Sequence, residues 1–218
     1  CLLSRGLGDV YKRQVTDSPK LYLKLSAVLE RSNKIDEALD VVDKAVKLNP
    51  EMPEAYHKKA MIYFMSNQID EALEAIDKAL ELRPDFANAM ATKSEILQSK
   101  GDMEQAKEVA KAGIEINPKI PFLYFALCKL QKFTKDDPYL QKMIDLIDGA
   151  DQFGRMQAVA LHYSLFKALE DTGDYDQAFE HLKRGADLKR ANSVYDIAAE
   201  MHAFSEIKKS YTKERVDE

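Results

Sequence analysis

Large and small apolar side chains recur along the chain at the spacing of helices buried on one side. Tyr22, Leu25, Ser26 and Leu29 mark one such stripe, Tyr56, Ala60 and Tyr63 a second, and Met90, Ser94 and Leu97 a looser third. Each is followed by a second stripe with a small residue repeated seven positions on: Ala38 and Ala45, Ala72 and Ala79, Ala106 and Gly113. Asn33, Asn67 and Gly101 lie between paired stripes, as Gly173 does further on. The chain must turn tightly there, and Gly and Asn tolerate the left-handed backbone best. Pro50, Pro84 and Pro118 close the three segments, because proline cannot extend a helix. The pattern predicts short antiparallel helix pairs. Small side chains let the two helices of a pair nest, and Tyr22 and Leu29 fill space against neighbours.

The three prolines are 34 residues apart, and so are the small positions. That period, with a large-x-x-Leu-small-x-x-aromatic pattern in the first helices, resembles the tetratricopeptide repeat. Lys59 stands where the family has leucine, and the third repeat carries Lys93 beside Ser94. The resemblance implies an all-α fold, a right-handed superhelix of about five helix-turn-helix repeats with a C-terminal capping helix. Residues 15–192 would form the solenoid, with repeats near 19–52, 53–86, 87–120, 121–158 and 159–192. The fourth is degenerate. "PFLYFALCKLQKF" at 121–133 keeps a first-helix pattern through Tyr124, Leu127 and Cys128, but the alanine signature that should follow is missing. About four extra residues are expected in a linker over 149–155 before Leu165, Leu169, Ala178 and Gly185 restore register. Val194, Ile197, Met201 and Phe204 share one helical face, so residues 193–218 are expected to cap the stack or connect onward.

Composition narrows function by exclusion. The 218 residues are 45% hydrophobic and 32% charged with no Trp, which suits a soluble helical protein. A net charge of -5 without a long basic stripe argues against nucleic acid as a partner. No apolar run approaches the roughly 20 residues of a membrane span, and a cytoplasmic location is expected. "CLLSRGLGDVYKRQ", residues 1–14, resembles translated adaptor sequence at the edge of a metagenomic reading frame and is set aside. Cys1 lies in that segment, and Cys128 stands at a small packing position, where a buried inert thiol is expected. Asp145, Asp148 and Asp151 are read as a hydrated surface, and His57, His162, His181 and His202 as surface or packing residues. No catalytic, cofactor-binding or metal-binding residue is expected, so the chain itself is not read as an enzyme.

Recognition remains. In the family the first helices line a concave groove, and its inward positions fall here on Lys24, His57, Lys58, Met61, Phe64, Met65, Thr92, Glu95, Phe125 and Lys129. Met and Phe there suit a peptide or helix of a protein partner. The positions that in some members clamp chaperone C-terminal carboxylates hold Leu23, Ala27, Lys58, Asn88 and Thr92, so that clamp is absent. Residues 161–196, including "GDYDQAFEHLKRGADLKR", are similar to the last repeat of bacterial tetratricopeptide-linked sulfotransferases, where basic residues stand in place of proline. The similarity implies, as an alternative, the N-terminal recognition region of an enzyme that uses the sulfate donor PAPS, with its phosphate loop beyond Glu218.

Overall fold

The computed structural model describes residues 18–191, which form ten α-helices and one 3-10 turn. The segments 1–14 and 193–218, with the Val194–Ile197–Met201–Phe204 face and His202, lie outside the described residues. Three regular pairs come first: α1 (Pro19–Arg31) with α2 (Ile35–Leu48), α3 (Pro53–Met65) with α4 (Ile69–Leu82), and α5 (Ala87–Lys100) with α6 (Met103–Ile116). Then follow α7 (Pro121–Cys128), α8 (Pro138–Ile147), and a last pair, α9 (Arg155–Thr172) with α10 (Tyr175–Arg190). In the regular pairs each first helix packs on its own second helix, and each second helix on the next first helix.

The ends of these helices have local causes. Pro19, Pro53, Pro121 and Pro138 open their helices, where a missing N–H costs nothing and the fixed φ is already helical. The turns at Asn33, Asn67, Gly101 and Gly173 have φ of 56°, 59°, 99° and 83°, the left-handed geometry their positions required. The second helices of the three regular pairs stop identically. Asn49, Arg83 and Asn117 have φ/ψ of −142°/88°, −145°/93° and −144°/95°, because the proline that follows disfavours a helical residue before it.

Nesting follows the small residues. Ser26, Ala38, Ala45, Ala60, Ala72, Ala79 and Ala106 are fully buried. Ser94 Oγ donates to the Ala106 carbonyl at 2.8 Å, tying α5 to α6. At Gly113 a Cβ would lie 2.6 Å from Leu123 Cδ2, so any larger residue would force the buried Leu123 to shift where α6 meets α7. The lysines that break the family pattern have a common role. Lys59 pairs with Asp43 and Lys93 with Asp77, both at 2.7 Å, each reaching from a first helix to the preceding second helix.

The fourth unit departs from the expected pattern. The first-helix stretch read over 121–133 ends as a helix at Cys128. Lys135 occupies the place of Asn33, Asn67 and Gly101, so no residue suited to a left-handed turn is available there. The chain instead leaves the helix early, and Phe133 becomes buried with its N–H donating to Asp171 Oδ2 at 3.2 Å. The shortened α7 packs against α5, α6 and α9, while α8 packs on α9. The four extra residues are not simply a linker. A 3-10 turn at Ala150–Gln152 precedes α9, which starts four residues before Val159 and runs for 18 residues. Asp145 lies in α8, Asp148 just beyond it and Asp151 in the 3-10 turn, so the three share no helical face.

Candidate functional site

Consecutive first helices bring several of the groove candidates together in cross-repeat contacts. Lys58 on α3 pairs with Glu30 on α1 at 2.8 Å. His57 Nε2 lies 2.8 Å from Thr92 Oγ1 on α5, and its ring meets Phe86 edge-on with centroids 5.1 Å apart. Lys129, just after α7, pairs with Glu95 on α5 at 3.5 Å, and its ammonium stands 4.3 Å from the centre of the Phe125 ring. Five of the candidates, Lys58, His57, Thr92, Glu95 and Lys129, thus bridge neighbouring repeats. Spacing of about one repeat makes this possible, because it returns side chains to the same face of successive first helices.

A recess of about 280 Å³ opens among them, lined by His57, Met61, Thr92 and Glu95 together with Phe86, Asn88, Ala91 and Phe122. Burial lowers the His57 pKa to about 4, with Lys58 and Arg83 adding repulsion, so the ring is neutral at pH 7. The Arg83 guanidinium stacks on Phe86 at 3.9 Å and pairs with Glu54, which fixes one wall. The arrangement is an apolar recess with hydroxyl, amide and carboxylate groups on it, suited to holding a side chain rather than to transforming one.

The remaining candidates stand elsewhere. Lys24 is exposed on α1, and Met65 is exposed at the end of α3. Phe64 is half-buried against the core of Ala60, Ala72, Ile76 and Ile96, so it supports folding directly. Phe86 was missed because it lies in the loop before α5, outside any first-helix pattern. Asn88 and Phe122 occupy the second position of their helices, as Glu54 does in α3 and Lys20 in α1, so helix position alone marks them. Elsewhere, Cys128 is buried with its Sγ 3.5 Å from the Ser164 carbonyl, and burial pushes the thiol up to about 12. His162 and His181, unremarkable in sequence, have their Nδ1 atoms 3.0 Å apart across α9 and α10.

The family model described as "Tetratricopeptide repeat" matches residues 29–91 and 63–128. No curated protein matches the chain. Among solved structures, the crystal structure of the APC/C hetero-tetramer Cut9-Hcn1 is similar in fold, with a TM-score of 0.63 at 19% identity. That likeness covers 83% of this chain and 35% of that one. MamA 41-end from Desulfovibrio magneticus RS-1 gives a TM-score of 0.49 at 21% identity, covering 80% of this chain and 97% of its own. The first repeat domain of Spaghetti (RPAP3), bound to the HSP90 peptide SRMEEVD, gives 0.49 at 19% identity, covering 52% of this chain and 90% of its own. No helix among the described residues is long and apolar enough to cross a membrane.

The described residues form an all-α tetratricopeptide-repeat superhelix.

Proposed function

We propose that the chain is a protein-interaction scaffold that holds a partner's peptide or helix against the first helices of its second, third and fourth repeats. One observation carries the reading: α3, α5 and α7 contribute side chains to a single recess through Met61, Thr92, Glu95 and Phe122. A solenoid distributes recognition over successive repeats, so a site spanning three of them favours an elongated ligand. Met61 adapts to an inserted apolar side chain, and Asn88, Thr92 and Glu95 can set the register of the ligand's polar groups. Lys58 and Lys129 already pair with acids of the scaffold, so this surface is not a uniform clamp for a carboxylate tail.

Peptide selection against the whole chain, followed by titration against Met61→Glu, tests the proposal. Selected peptides should lose at least about tenfold in affinity for the variant, as expected when a central contact is removed, while its melting temperature stays unchanged. Peptides that bind both proteins equally would place recognition elsewhere.

A second reading is favoured by α10. This helix has 16 residues where α2, α4 and α6 have 14, and Ala191 after it is still in right-handed helical geometry. The helix passes the point where proline stops the others, as expected of a chain that runs straight into another element. On this reading the scaffold is the recognition region of a tetratricopeptide-linked, PAPS-dependent sulfotransferase. A source reading frame that continues past Glu218 into a strand and a phosphate loop would support it, and a stop codon at that point would sink it.

A further inference from the structure

Each repeat carries a pair of positions 19 residues apart, one on each helix: Tyr22 and Val41, Tyr56 and Ala75, Met90 and Val109, Tyr124 and Met143. In the fifth repeat the pair is His162 and His181. The structure supports this alignment. A Cβ at Gly113 would be 3.3 Å from Met90 Cβ, and a Cβ at the equivalent Gly185 would be 3.3 Å from His162 Cβ. Two imidazoles therefore stand where every other repeat has apolar or aromatic side chains, and packing alone does not call for them.

Their separation is that of a hydrogen-bonded pair, and it is also short enough for both nitrogens to reach one ion. The two Nδ1 atoms are 3.0 Å apart on different helices, with ring centroids 5.2 Å apart and planes tilted by 38°. With metal–nitrogen bonds of about 2.0–2.1 Å, nitrogens at this separation subtend about 95° at a shared ion. That is near the right angle between neighbouring ligands in tetragonal coordination and below the tetrahedral angle. Burial lowers both pKa values, that of His162 to about 4, with Arg184 acting in the same direction on each. Both rings are therefore neutral at pH 7, the form that ligates metal. They border a recess of about 730 Å³ whose walls carry the carboxylates of Asp148, Glu180 and Asp187 and the cations of Lys183 and Arg184. His181 is half-buried and lines that recess, which gives a path toward the pair. Among the described residues no set of three His, Cys, Asp or Glu is placed to hold an ion, so the rest of its coordination would be water or an incoming ligand.

We propose that His162 and His181 chelate one divalent late transition-metal ion, copper or nickel in preference to zinc, on the α9–α10 face. In the metal-free chain one Nδ1 donates its proton to the other; binding requires that ring to take its Nε2–H tautomer, with no net release of a proton at pH 7, so that both neutral rings offer an Nδ1 lone pair to the ion.

The test uses the whole chain with Cu²⁺, Ni²⁺ and Zn²⁺ in turn, measured by titration calorimetry and thermal unfolding. The control is His162→Tyr with His181→Val, which restores the pair found in the first repeat and is expected to keep the fold. Wild type should bind one more Cu²⁺ or Ni²⁺ than the control and show a larger metal-induced rise in melting temperature, with Zn²⁺ weaker. Paramagnetic resonance of the Cu²⁺ form should show two nitrogen ligands, reduced in His181→Ala. Equal stoichiometry and equal shifts in wild type and control would overturn the proposal, as would an unchanged spectrum in His181→Ala.

Discussion

The first two repeats, with one face of α5, and the rest of the chain bury their cores differently. In the first part, buried side chains gather in small groups: Ala38, Val42 and Ile62 in one, Ala45, Met52 and Ala55 in another, Ala60, Ala72, Ala75, Ile76, Ala89 and Ile96 in a third. A single buried cluster extends from Ala87 and Ala91 on α5, whose Ala89 and Ile96 belong to the third small group, to Ala178 on α10. The fused core arises where α7 is cut to eight residues, which lets α9 pack directly on it. Loss of repeat regularity therefore brings longer-range burial with it, and the two regions should fail in different ways.

Core truncation should have the largest effect. Leu165 is fully buried in the fused cluster and Ile62 in one of the small ones. Each change to alanine should cost about 2–5 kcal/mol. Their reach should differ, because repeats coupled only to neighbours can open locally. Leu165→Ala should lower hydrogen-exchange protection from α5 to α10 together, and Ile62→Ala should lower it mainly in α1 to α4. Uniform loss across the chain in both variants would erase the contrast.

Glycine substitutions sharpen the boundary. Gly113→Ala places a methyl group against Leu123, a fully buried residue, and should cost about 1–3 kcal/mol through overpacking. Gly101→Ala meets nothing within 4 Å, so only its positive φ resists the change, at about 1 kcal/mol. Chemical denaturation should therefore rank Gly113→Ala as the more damaging. The reverse order would mean that α6 and α7 can separate freely.

Acidification should reach both regions. His57 in the first part and His162 in the second have folded pKa values lowered to about 4, and His181 is lowered as well. A lowered histidine binds fewer protons when folded than when unfolded. Stability is therefore highest above the unfolded value of about 6.5 and is lost as pH falls from there toward about 4. His57→Phe should flatten this dependence for the first part, and His162→Tyr with His181→Val for the second. Melting temperatures measured between pH 7 and pH 4 would show it, and an unaltered slope in either variant would remove that histidine from the account.

Much of the regular part was legible because its causes are local. Asn33, Asn67 and Gly101 specify the turns and Pro50, Pro84 and Pro118 the stops, and each acts through backbone geometry within a few residues. Ala38, Ala45, Ala72 and Ala79 declare nesting by size alone. The loss of a left-handed turn at Lys135 was legible, but where the released segment would go was not, since that depends on the burial of Phe133 and its bond to Asp171, 38 positions further on. The candidate site divides the same way. Helical register placed His57, Met61, Thr92 and Glu95 on one recess, but it could not show that Lys58 and Lys129 would be paired with Glu30 and Glu95. The meeting of His162 with His181 was available from the 19-residue offset between paired helices, a comparison of repeats rather than of neighbours in sequence.

The smallest effect concerns the lysines that replace an apolar residue in the regular repeats. Lys59 and Lys93 occupy equivalent places and reach equivalent partners, Asp43 and Asp77, whose side chains are 44% and 57% exposed. Water screens such pairs, and holding two long side chains together costs entropy, so each should contribute only about 0.2–1 kcal/mol. A double-mutant cycle on Lys93→Met and Asp77→Asn measures the coupling without the change in packing that either substitution brings alone. The coupling should shrink in high salt, because the charges are close to solvent. No fused core surrounds these pairs, so breaking both at once should give nearly the sum of the two separate losses. A coupling well above 1 kcal/mol, or one indifferent to salt, would show that the regular repeats depend on charge between helices as well as on small side chains within them.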